Sequence, residues 1–334
     1  AAALSPNFSF HSKIPAKKTY VQEHRFEVGV EPDRIYVAFA ASDLGLNSMQ
    51  DFYYEMWLSD GRGDVPISWW LDSIVADFCP GIVQYYYETK TQNDYFYSAH
   101  VGGRIRASDY PYLEDYLARG QKYLNRCSLK VVGFSNHNKK DDRVFQLYSR
   151  MLDVEGFVFG FGPEFEEEYW FIDDKVWIVP RFMGSPQAMY SAIKNYIEST
   201  QRRPLFIIAG VGLWYYPKIK DVIKVKEKLE EDYGSQIVFC RLDELIGAAK
   251  QYKQLQSETM TTETTTTKTT TISETSTTTT HPHTSTSAPQ TYTSTTPPTS
   301  TLPKQPELPY YMAPITVVAV LGGIACYILL RKRR

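Results

Sequence analysis

The sequence predicts an α/β fold of the (β/α)8 type, a TIM-like barrel with one irregular repeat. Eight short apolar runs, rich in β-branched and aromatic residues, recur between residues 35 and 240. Most of them are followed by a segment with helical periodicity, and this alternation predicts βαβ units and a parallel sheet. Eight units in about 220 residues fit a barrel of this type. An open doubly wound sheet is the alternative, but no glycine-rich phosphate motif follows the first strand.

The predicted elements alternate along the chain. The strands are Ile35–Ala40, Pro66–Trp70, Tyr95–Ala99, Leu129–Phe134, Gly156–Gly160, Val176–Val179, Leu205–Ala209 and Gln236–Cys240. The helices are Ser48–Leu58, Ile74–Tyr87, Tyr112–Arg126, Arg143–Leu152, Pro186–Ser199, Ile219–Asp232 and Leu242–Gln254. Between Gly160 and Val176 the periodicity is not helical and Asp173-Asp174 favours a turn, so we expect a hairpin in place of one helix.

Four further segments complete the predicted organisation around the barrel domain, residues 34–255. Residues 1–33 contain no long periodic run and are interpreted as an extended lead-in with a short strand at Phe26–Val30. Residues 256–309 include Ser257–Thr301, in which 30 of 45 residues are Ser or Thr. Such a segment has little apolar surface to bury, so it is predicted to be a disordered stalk, glycosylated or bare.

A membrane anchor is predicted at the end of the sequence. Met312–Leu330 is a run of 19 residues without a charge, which as a helix spans nearly the whole hydrocarbon core of about 30 Å. The four residues that follow, 331–334, are all cationic. By the positive-inside rule this tail is cytoplasmic and the large N-terminal domain is extracellular. The predicted location is therefore the cell membrane, in a single-pass orientation.

Charge and motif content exclude several functions. The chain has 36 Lys and Arg against 38 Asp and Glu, a formal charge of −2, which argues against nucleic acid as a partner. Motifs for metalloproteases, zinc ribbons and hydrolase elbows are missing from the sequence, so we predict no metal and no cofactor. Three cysteines precede the predicted anchor, Cys79, Cys127 and Cys240, and they are interpreted as buried free thiols.

Candidate site residues follow the predicted strands, because a barrel of this type builds its active site at the carboxyl ends of its strands. Two carboxylates, Asp43 and Glu164, are the predicted catalytic pair. The predicted substrate-binding residues are Trp70, Asp72, His100, Asn136, His137, Arg181, Trp214 and Tyr215. Carboxylates that act as acid and base or nucleophile, together with aromatic rings and hydrogen-bonding side chains, suit carbohydrate chemistry.

Each candidate also has a structural interpretation. Asp43 could belong to a turn, Glu164 lies in an acidic run typical of solvated loops, and Asp72 could cap a helix. His100 and His137 could be structural histidines. Trp69 and Trp70 must face opposite sides of a strand, so only one of them can line the barrel. Asp243 and Glu244 open the last helix, where favourable charge placement explains them better than catalysis does.

The order of these segments resembles the C-terminal domain of the GxGYxYP family of glycoside hydrolases. The resemblance lies in Tyr36–Asp43 with Asn47 and Gln50, in Val65–Trp70, in Tyr85–Phe96 and in Tyr110-Pro111, and it covers residues 5 to 254. It implies a TIM-like barrel that acts on polysaccharide. The naming motif departs from the family, because His100–Pro111 keeps a glycine and Tyr110-Pro111 but not the central Gly-Tyr-x-Tyr.

Two functions follow from this sequence. The first is a membrane-anchored extracellular glycoside hydrolase that acts on polysaccharide by carboxylate catalysis. The alternative is a non-catalytic surface module that binds carbohydrate or another envelope component on a degenerate hydrolase barrel. A metal-dependent deacetylase has less support, because no Asp with an HxxxH ligand set is visible. The predicted partners are a polysaccharide or cell-envelope glycan and, through Met312–Leu330, membrane lipid.

Overall fold

The structure is a computed structural model that describes residues 8–42, 52–98, 100–134, 141–159, 169–180, 182–212 and 218–269. These residues belong to one compact unit, Ala1–Ser273. The second unit, Glu274–Arg334, lies outside the described residues, and so do the predicted anchor and basic tail. In the part of the chain that is described, no helix combines the length and the apolar character needed to cross a membrane.

Ten strands form one sheet within the described residues. They are β1 (Ile35–Ser42), β2 (Ile67–Leu71), β3 (Asp94–Ser98), β4 (Val131–Phe134), β5 (Gly156–Phe159), β6 (Tyr169–Ile172), β7 (Lys175–Ile178), β8 (Phe182–Met183), β9 (Leu205–Gly212) and β10 (Ile237–Phe239). All eight predicted strands are present, and the predicted hairpin is confirmed as the antiparallel pair β6–β7. The other strand pairs are parallel.

The sheet curls strongly on itself. Its hydrogen-bonded order is β6-β7-β5-β4-β3-β2-β1-β9-β8, so β7 and β8 are seven strand spacings apart. In a flat sheet that separation is about 34 Å. Only residues 179–181 connect the two strands, however, and they reach at most about 15 Å. The sheet therefore bends into a barrel-like curl, which confirms a mixed α/β fold consistent with the predicted TIM-like architecture.

Nine helices belong to the described residues. They are α1 (Phe8–His11), α2 (Phe52–Trp57), α3 (Val75–Phe78), α4 (Pro80–Thr89), α5 (Leu113–Arg126), α6 (Asp142–Met151), α7 (Pro186–Ser199), α8 (Ile219–Tyr233) and α9 (Leu242–Thr269). The helix predicted at Ile74–Tyr87 is instead two helices, α3 and α4, because Pro80 cannot continue a preceding helix and begins a new one. The last helix, α9, extends beyond the predicted Gln254 into the first part of the predicted stalk.

Helix α9 closes the amino edge of the sheet, where the parallel strands begin. It contacts β1, β3, β7 and β9, strands from both arms of the curl. Leu242, Leu245 and Ile246 are fully buried on its inner face. Lys250 pairs with Glu155, the residue before β5, which places this side of the helix beside the strand starts. The apolar face of α9 is therefore the floor of the barrel.

The lead-in inserts between β3 and β4, and the strand predicted at Phe26–Val30 is wrong. The two strands share a single described register pair, Ser98 with Val132. Closer to the amino edge, the buried side chain of Gln22 takes the place of a neighbouring strand. Its Nε2 donates to Phe96 O (2.7 Å) and Ser128 O (2.9 Å), and its Oε1 accepts from Phe96 N (2.9 Å).

Phe26–Val30 has no strand partner because α9 occupies the neighbouring space. Phe26 O lies so close to Gly247 that a Cβ there would be 2.0 Å from it. Just before this segment, the Arg25 backbone N–H donates to the Asp243 carboxylate at 2.7 Å. The backbone of this part of the lead-in therefore bonds to a side chain and packs against a helix instead of joining the sheet.

Two buried ion pairs lie at the amino edge. Asp94 (1% exposed) accepts from the Arg62 guanidinium at 2.5 Å and from Trp69 Nε1 at 2.8 Å. Thr91 adds its backbone N–H (2.7 Å) and its hydroxyl (2.9 Å) to the same carboxylate. Asp243 pairs with Arg241 at 2.5 Å, and both side chains are almost fully buried. Both carboxylates therefore have a structural role. For Asp243 this agrees with its interpretation from sequence as a charge at the start of the last helix.

The three described cysteines are confirmed as free, buried thiols. Burial raises the pKa of the Cys127 thiol to about 12 and the pKa of Cys240 well above its usual value. They are packing residues of the core, since only a thiolate is reactive.

Candidate functional site

The candidate site is at the carboxyl edge of the sheet, opposite the floor formed by α9. Of the predicted site residues, the structure describes Trp70, Asp72 and His100, which follow or end β2 and β3. The remaining predicted residues lie outside the described residues: Asp43, Glu164, Asn136, His137, Arg181, Trp214 and Tyr215.

Strand alternation separates the two tryptophans of β2, as predicted. Trp69 packs on the helical side, where its ring centroid is 5.2 Å from that of Trp57 in α2. Trp70 points to the opposite face, and its ring centroid is 6.2 Å from that of Tyr97 in β3. The Tyr97 hydroxyl in turn donates to Ala41 O at 3.1 Å, near the end of β1. Trp70 and Tyr97 thus join the carboxyl ends of the first three strands.

His100 extends this aromatic pair past the end of β3. Its ring centroid is 5.6 Å from that of Trp70, and Ser98 Oγ fixes the turn by donating to His100 O at 2.6 Å. Burial, with a smaller contribution from the Arg104 charge, lowers the pKa of His100 to about 4. The imidazole is therefore neutral at physiological pH, with one ring nitrogen that donates and one that accepts hydrogen bonds.

Asp72, just past β2, is a carboxylate with an incomplete set of partners. One carboxyl oxygen accepts from the Ile74 backbone N–H immediately before α3, which supports the predicted capping interpretation in part. The other oxygen, Oδ1, is buried and has no hydrogen-bond partner among the described residues. Burial raises the pKa of Asp72 to about 6, although the Ile74 hydrogen bond acts in the opposite direction. Asp72 therefore holds a proton more tightly than an ordinary aspartate does.

The loop after His100 corresponds to the family's naming motif. Its final seven residues, Ile105–Pro111, include a 3-10 turn at Ala107–Asp109 and then Tyr110, which is 38% exposed. The Tyr116 hydroxyl of α5 holds the start of the loop, because it accepts from Gly102 N (3.1 Å) and donates to Gly103 O (2.6 Å). The departures from the motif are thus accommodated in an ordered turn.

Sequence reasoning missed Tyr97. The alternation in Asp94–Ser98 could have indicated it, because Tyr97 pairs with Trp70 in the register of β2 and β3 and so lies on the same face. Among the described residues, there is no group of three or more His, Cys, Asp or Glu side chains arranged to hold a metal ion. The described chemistry of this edge is therefore an aromatic cluster, a neutral imidazole and a carboxyl group that is protonated at mildly acidic pH.

Comparison with solved structures identifies the fold. A protein described as a putative hydrolase from Bacteroides thetaiotaomicron VPI-5482 superimposes with a TM-score of 0.63 at 19% identity, over 74% of this chain and 51% of that chain. This chain thus spans about half the length of that hydrolase. A protein described as a putative polysaccharide deacetylase from Mycobacterium smegmatis matches with a TM-score of 0.47 at 8% identity, over 71% of this chain and 94% of its own. No curated protein matches the chain.

A family model gives the more specific assignment. The model described as "GxGYxYP putative glycoside hydrolase C-terminal domain" matches residues 33–239, which is more than half of the chain. The match begins just before β1 and ends with β10, so it includes every described strand of the curled sheet. The chain therefore belongs to the GxGYxYP family of glycoside hydrolase C-terminal domains.

Proposed function

We propose that this domain is a glycoside hydrolase that binds a polysaccharide at the carboxyl edge of its sheet. The observation that carries this proposal is the Trp70–Tyr97–His100 cluster, which lies at the edge where barrel enzymes build their active sites. Family membership supports the same reaction class. In this role Trp70 and His100 contact the sugar, and the neutral imidazole exchanges hydrogen bonds with its hydroxyl groups.

In the proposed reaction, Asp43 and Glu164 are the pair of carboxyl groups that glycoside hydrolysis requires. One of them protonates the oxygen of the leaving group, and the other activates water or attacks the anomeric carbon. A separation of about 5–5.5 Å between the two groups corresponds to retention of configuration, and one of about 6.5–9.5 Å corresponds to inversion. Asp43 immediately follows Ser42, the last residue of β1, and Tyr97 of the aromatic cluster donates a hydrogen bond to Ala41 in the same strand.

The other predicted residues complete the proposed substrate site. Asn136, His137, Arg181, Trp214 and Tyr215 follow β4, β7 and β9, strands of the same sheet edge. We assign them to hydroxyl recognition and ring stacking. Asp72 follows Trp70 by two residues, and its buried unpartnered oxygen is suited to a hydrogen bond with substrate or with an ordered water.

The test is the release of reducing ends from a panel of polysaccharides by the full chain. We expect turnover of at least one polymer, and we expect Asp43→Asn and Glu164→Gln each to lower kcat by at least 100-fold. Asp153→Asn is the matched control, because that exposed carboxylate pairs with Lys130 at the amino edge. Full activity in Asp43→Asn would contradict the assignment of this residue.

A second candidate function is a non-catalytic glycan-binding module. The observation that favours it is the naming motif, because His100–Pro111 keeps a glycine and Tyr110-Pro111 but lacks the central Gly-Tyr-x-Tyr. Under this alternative the wild-type chain binds a polysaccharide tightly but releases no reducing ends. The same assay, run beside a binding measurement, separates the two functions.

We further propose that the domain is held outside the cell by a stalk at residues 256–309 and a single-pass anchor at Met312–Leu330. The support is compositional: the Ser and Thr content of the stalk, the uncharged run and the cationic residues after it. Protease added to intact cells should then release the folded domain into the medium. Protection of the domain in intact cells, with cleavage only after lysis, would contradict this orientation.

A further inference from the structure

We propose that a second sugar-binding site lies on the flank of the carboxyl edge, in a cleft of about 540 Å³ between α5 and the two loops that follow β2 and β3. Its lining includes Tyr110, Tyr112, Tyr116, Tyr123, Asp115 and Arg119, and we call it the tyrosine cleft. Its ligand is a stretch of uncharged sugar units. The inference rests on the proposed function in one respect, namely that both sites take the same polysaccharide.

Helix α5 provides most of the tyrosine cleft on one of its faces. Tyr116 and Tyr123 are separated by seven residues, two helical turns, and so lie on the same side of the helix. The residues that directly follow Tyr112, Tyr116 and Tyr123 face the core instead, and they are Leu113, Leu117 and Leu124. Gly120 allows the loop to approach, because a Cβ at this position would be 2.0 Å from Val101 Cγ1. The tyrosines therefore form a separate stripe beside the buried face.

Two of the tyrosine rings are fixed before any ligand binds. Tyr116 exchanges hydrogen bonds with the backbone of Gly102 and Gly103. The Tyr123 hydroxyl donates to Asp77 in α3 at 2.7 Å, and Asp77 is itself paired with Arg126. Rings that are already oriented lose little conformational entropy on binding, so more of the contact energy appears as affinity.

The other two tyrosines present free aromatic surface. Tyr112 is 67% exposed and Tyr110 is 38% exposed, and their ring centroids are 6.3 Å apart in an edge-on arrangement. Tyr110 also meets Tyr116 edge-on at 5.9 Å. A sugar ring has apolar C–H faces and a polar rim, and it buries the apolar face of a tyrosine while leaving hydroxyl groups available for hydrogen bonds.

Charge in the tyrosine cleft selects for an uncharged ligand. Asp115 and Arg119 are exposed and lie one helical turn apart, and neither has an ion-pair partner among the described residues. A carboxylate accepts hydrogen bonds from hydroxyl groups and a guanidinium donates to them. Because the two charges cancel, the site has no net attraction for a uronic acid or a phosphate.

The position of the tyrosine cleft links it to the barrel mouth. Ile74 and Gly102 line the cleft. Asp72 lies two residues before Ile74 in the sequence, and His100 lies two residues before Gly102. A polymer held at Trp70 and His100 can therefore continue along the outer side of the same loops. The volume is within the range of about 300–1,000 Å³ that is usual for ligand sites.

The test measures binding separately from turnover, with the full chain and the probes cellohexaose, maltohexaose, mannohexaose and hexagalacturonate. We expect at least one neutral hexasaccharide to bind, and more tightly than hexagalacturonate. The double variant Tyr110→Ala with Tyr112→Ala should lower that affinity at least tenfold. Tyr54→Ala, which removes a tyrosine of similar exposure (41%) in α2, is the control and should bind like wild type.

Two outcomes overturn the tyrosine cleft as a sugar site: no neutral hexasaccharide binds the wild-type chain, or the double variant binds as tightly as Tyr54→Ala. Reducing-end release by the wild-type chain distinguishes this inference from the proposed function. Binding that depends on Tyr110 and Tyr112 without turnover refutes hydrolysis and leaves the cleft. Turnover together with binding that does not depend on the two tyrosines refutes the cleft and leaves hydrolysis.

Discussion

Two aspartates at opposite edges of the sheet differ in how fully they are paired. At the amino edge, Asp94 receives four hydrogen bonds, two of them from Thr91 and one each from Arg62 and Trp69. At the carboxyl edge, Asp72 receives one from the Ile74 backbone, and its Oδ1 is left without a partner among the described residues. A saturated carboxylate stabilises the fold, whereas an unsaturated one is available to a ligand at a cost in stability.

The difference extends to the surroundings of each aspartate. The amino edge is closed by α9 and the lead-in, with the Arg241–Asp243 pair buried between them. The described carboxyl edge has an aromatic cluster and a neutral histidine instead of ion pairs. The buried ion pairs that stabilise the fold thus lie at the amino edge, and the candidate functional residues lie at the carboxyl edge. Each of the following substitutions tests this division.

The largest effect is expected at Asp94. Asp94→Asn leaves the Arg62 guanidinium without its buried counterion, which should cost about 3–5 kcal/mol of unfolding free energy. Urea denaturation followed by tryptophan fluorescence measures this loss. Asp153→Asn, where a 75% exposed carboxylate pairs with Lys130, should change the same quantity by less than about 1 kcal/mol. Equal losses in the two variants would contradict the division between the edges.

A somewhat smaller effect is expected at Gln22. Gln22→Ala leaves the backbone N–H and C=O of Phe96 and the C=O of Ser128 without these hydrogen bonds, at a cost of about 2–4 kcal/mol. The control is Gln84→Ala, which removes two exposed bonds, one accepted from Lys17 N and one donated to Glu88. Amide hydrogen exchange should show faster exchange in β3 and β4 of the Gln22 variant only. If exchange in these strands were unchanged, the lead-in would be peripheral to the sheet.

Asp72 should respond in the opposite direction to Asp94. Its pKa is about 6 in the folded state and 3.8 in the unfolded chain, so the stability that its protonated form contributes below pH 3.8 is lost as the pH rises through 6. Relative to wild type, Asp72→Asn should therefore gain about 2–3 kcal/mol of stability as the pH rises from 4 to 8. Thermal unfolding across this range measures the gain. A variant that is destabilised at pH 8 would show that the ionised carboxylate is satisfied.

The smallest effect is expected at His100. Its pKa is lowered from 6.5 to about 4, so protonation opposes folding as the pH falls below 6.5. Wild type should lose about 1–2 kcal/mol relative to His100→Gln between pH 7 and pH 5, after allowance for screening of the Arg104 charge. The readout is again thermal unfolding at several pH values. A stability difference that does not change with pH would place the imidazole in contact with solvent.

The sequence predicts the sheet well because its signals are local. The strands are short β-branched and aromatic runs, and the Asp173-Asp174 turn marks the hairpin that replaces one helix. The opposite orientations of Trp69 and Trp70 follow from the period of two alone. The break between α3 and α4 was open to prediction as well, since Pro80 stands inside the predicted helix.

The remaining features depend on distant contacts that no local pattern encodes. Gln22 bonds to Phe96 and Ser128, which are 74 and 106 residues away. Asp72 resembles any helix-capping aspartate until the burial of its Oδ1 is known. The tyrosine stripe of α5 has helical spacing, but it is recognisable as a cleft only once the loop after β3 is placed beside it.

The bond between Arg25 and Asp243 has a consequence for synthesis of the protein. It joins residues that are 218 positions apart, and it ties the lead-in to the helix that forms the floor of the barrel. At about 5–20 residues per second, a ribosome needs about 10–40 s to make the intervening chain. Throughout that interval the lead-in is without its partner. The amino edge can therefore close only after the ribosome has passed residue 243, and a chain that stalls earlier leaves the strands that α9 covers open to chaperones and proteases.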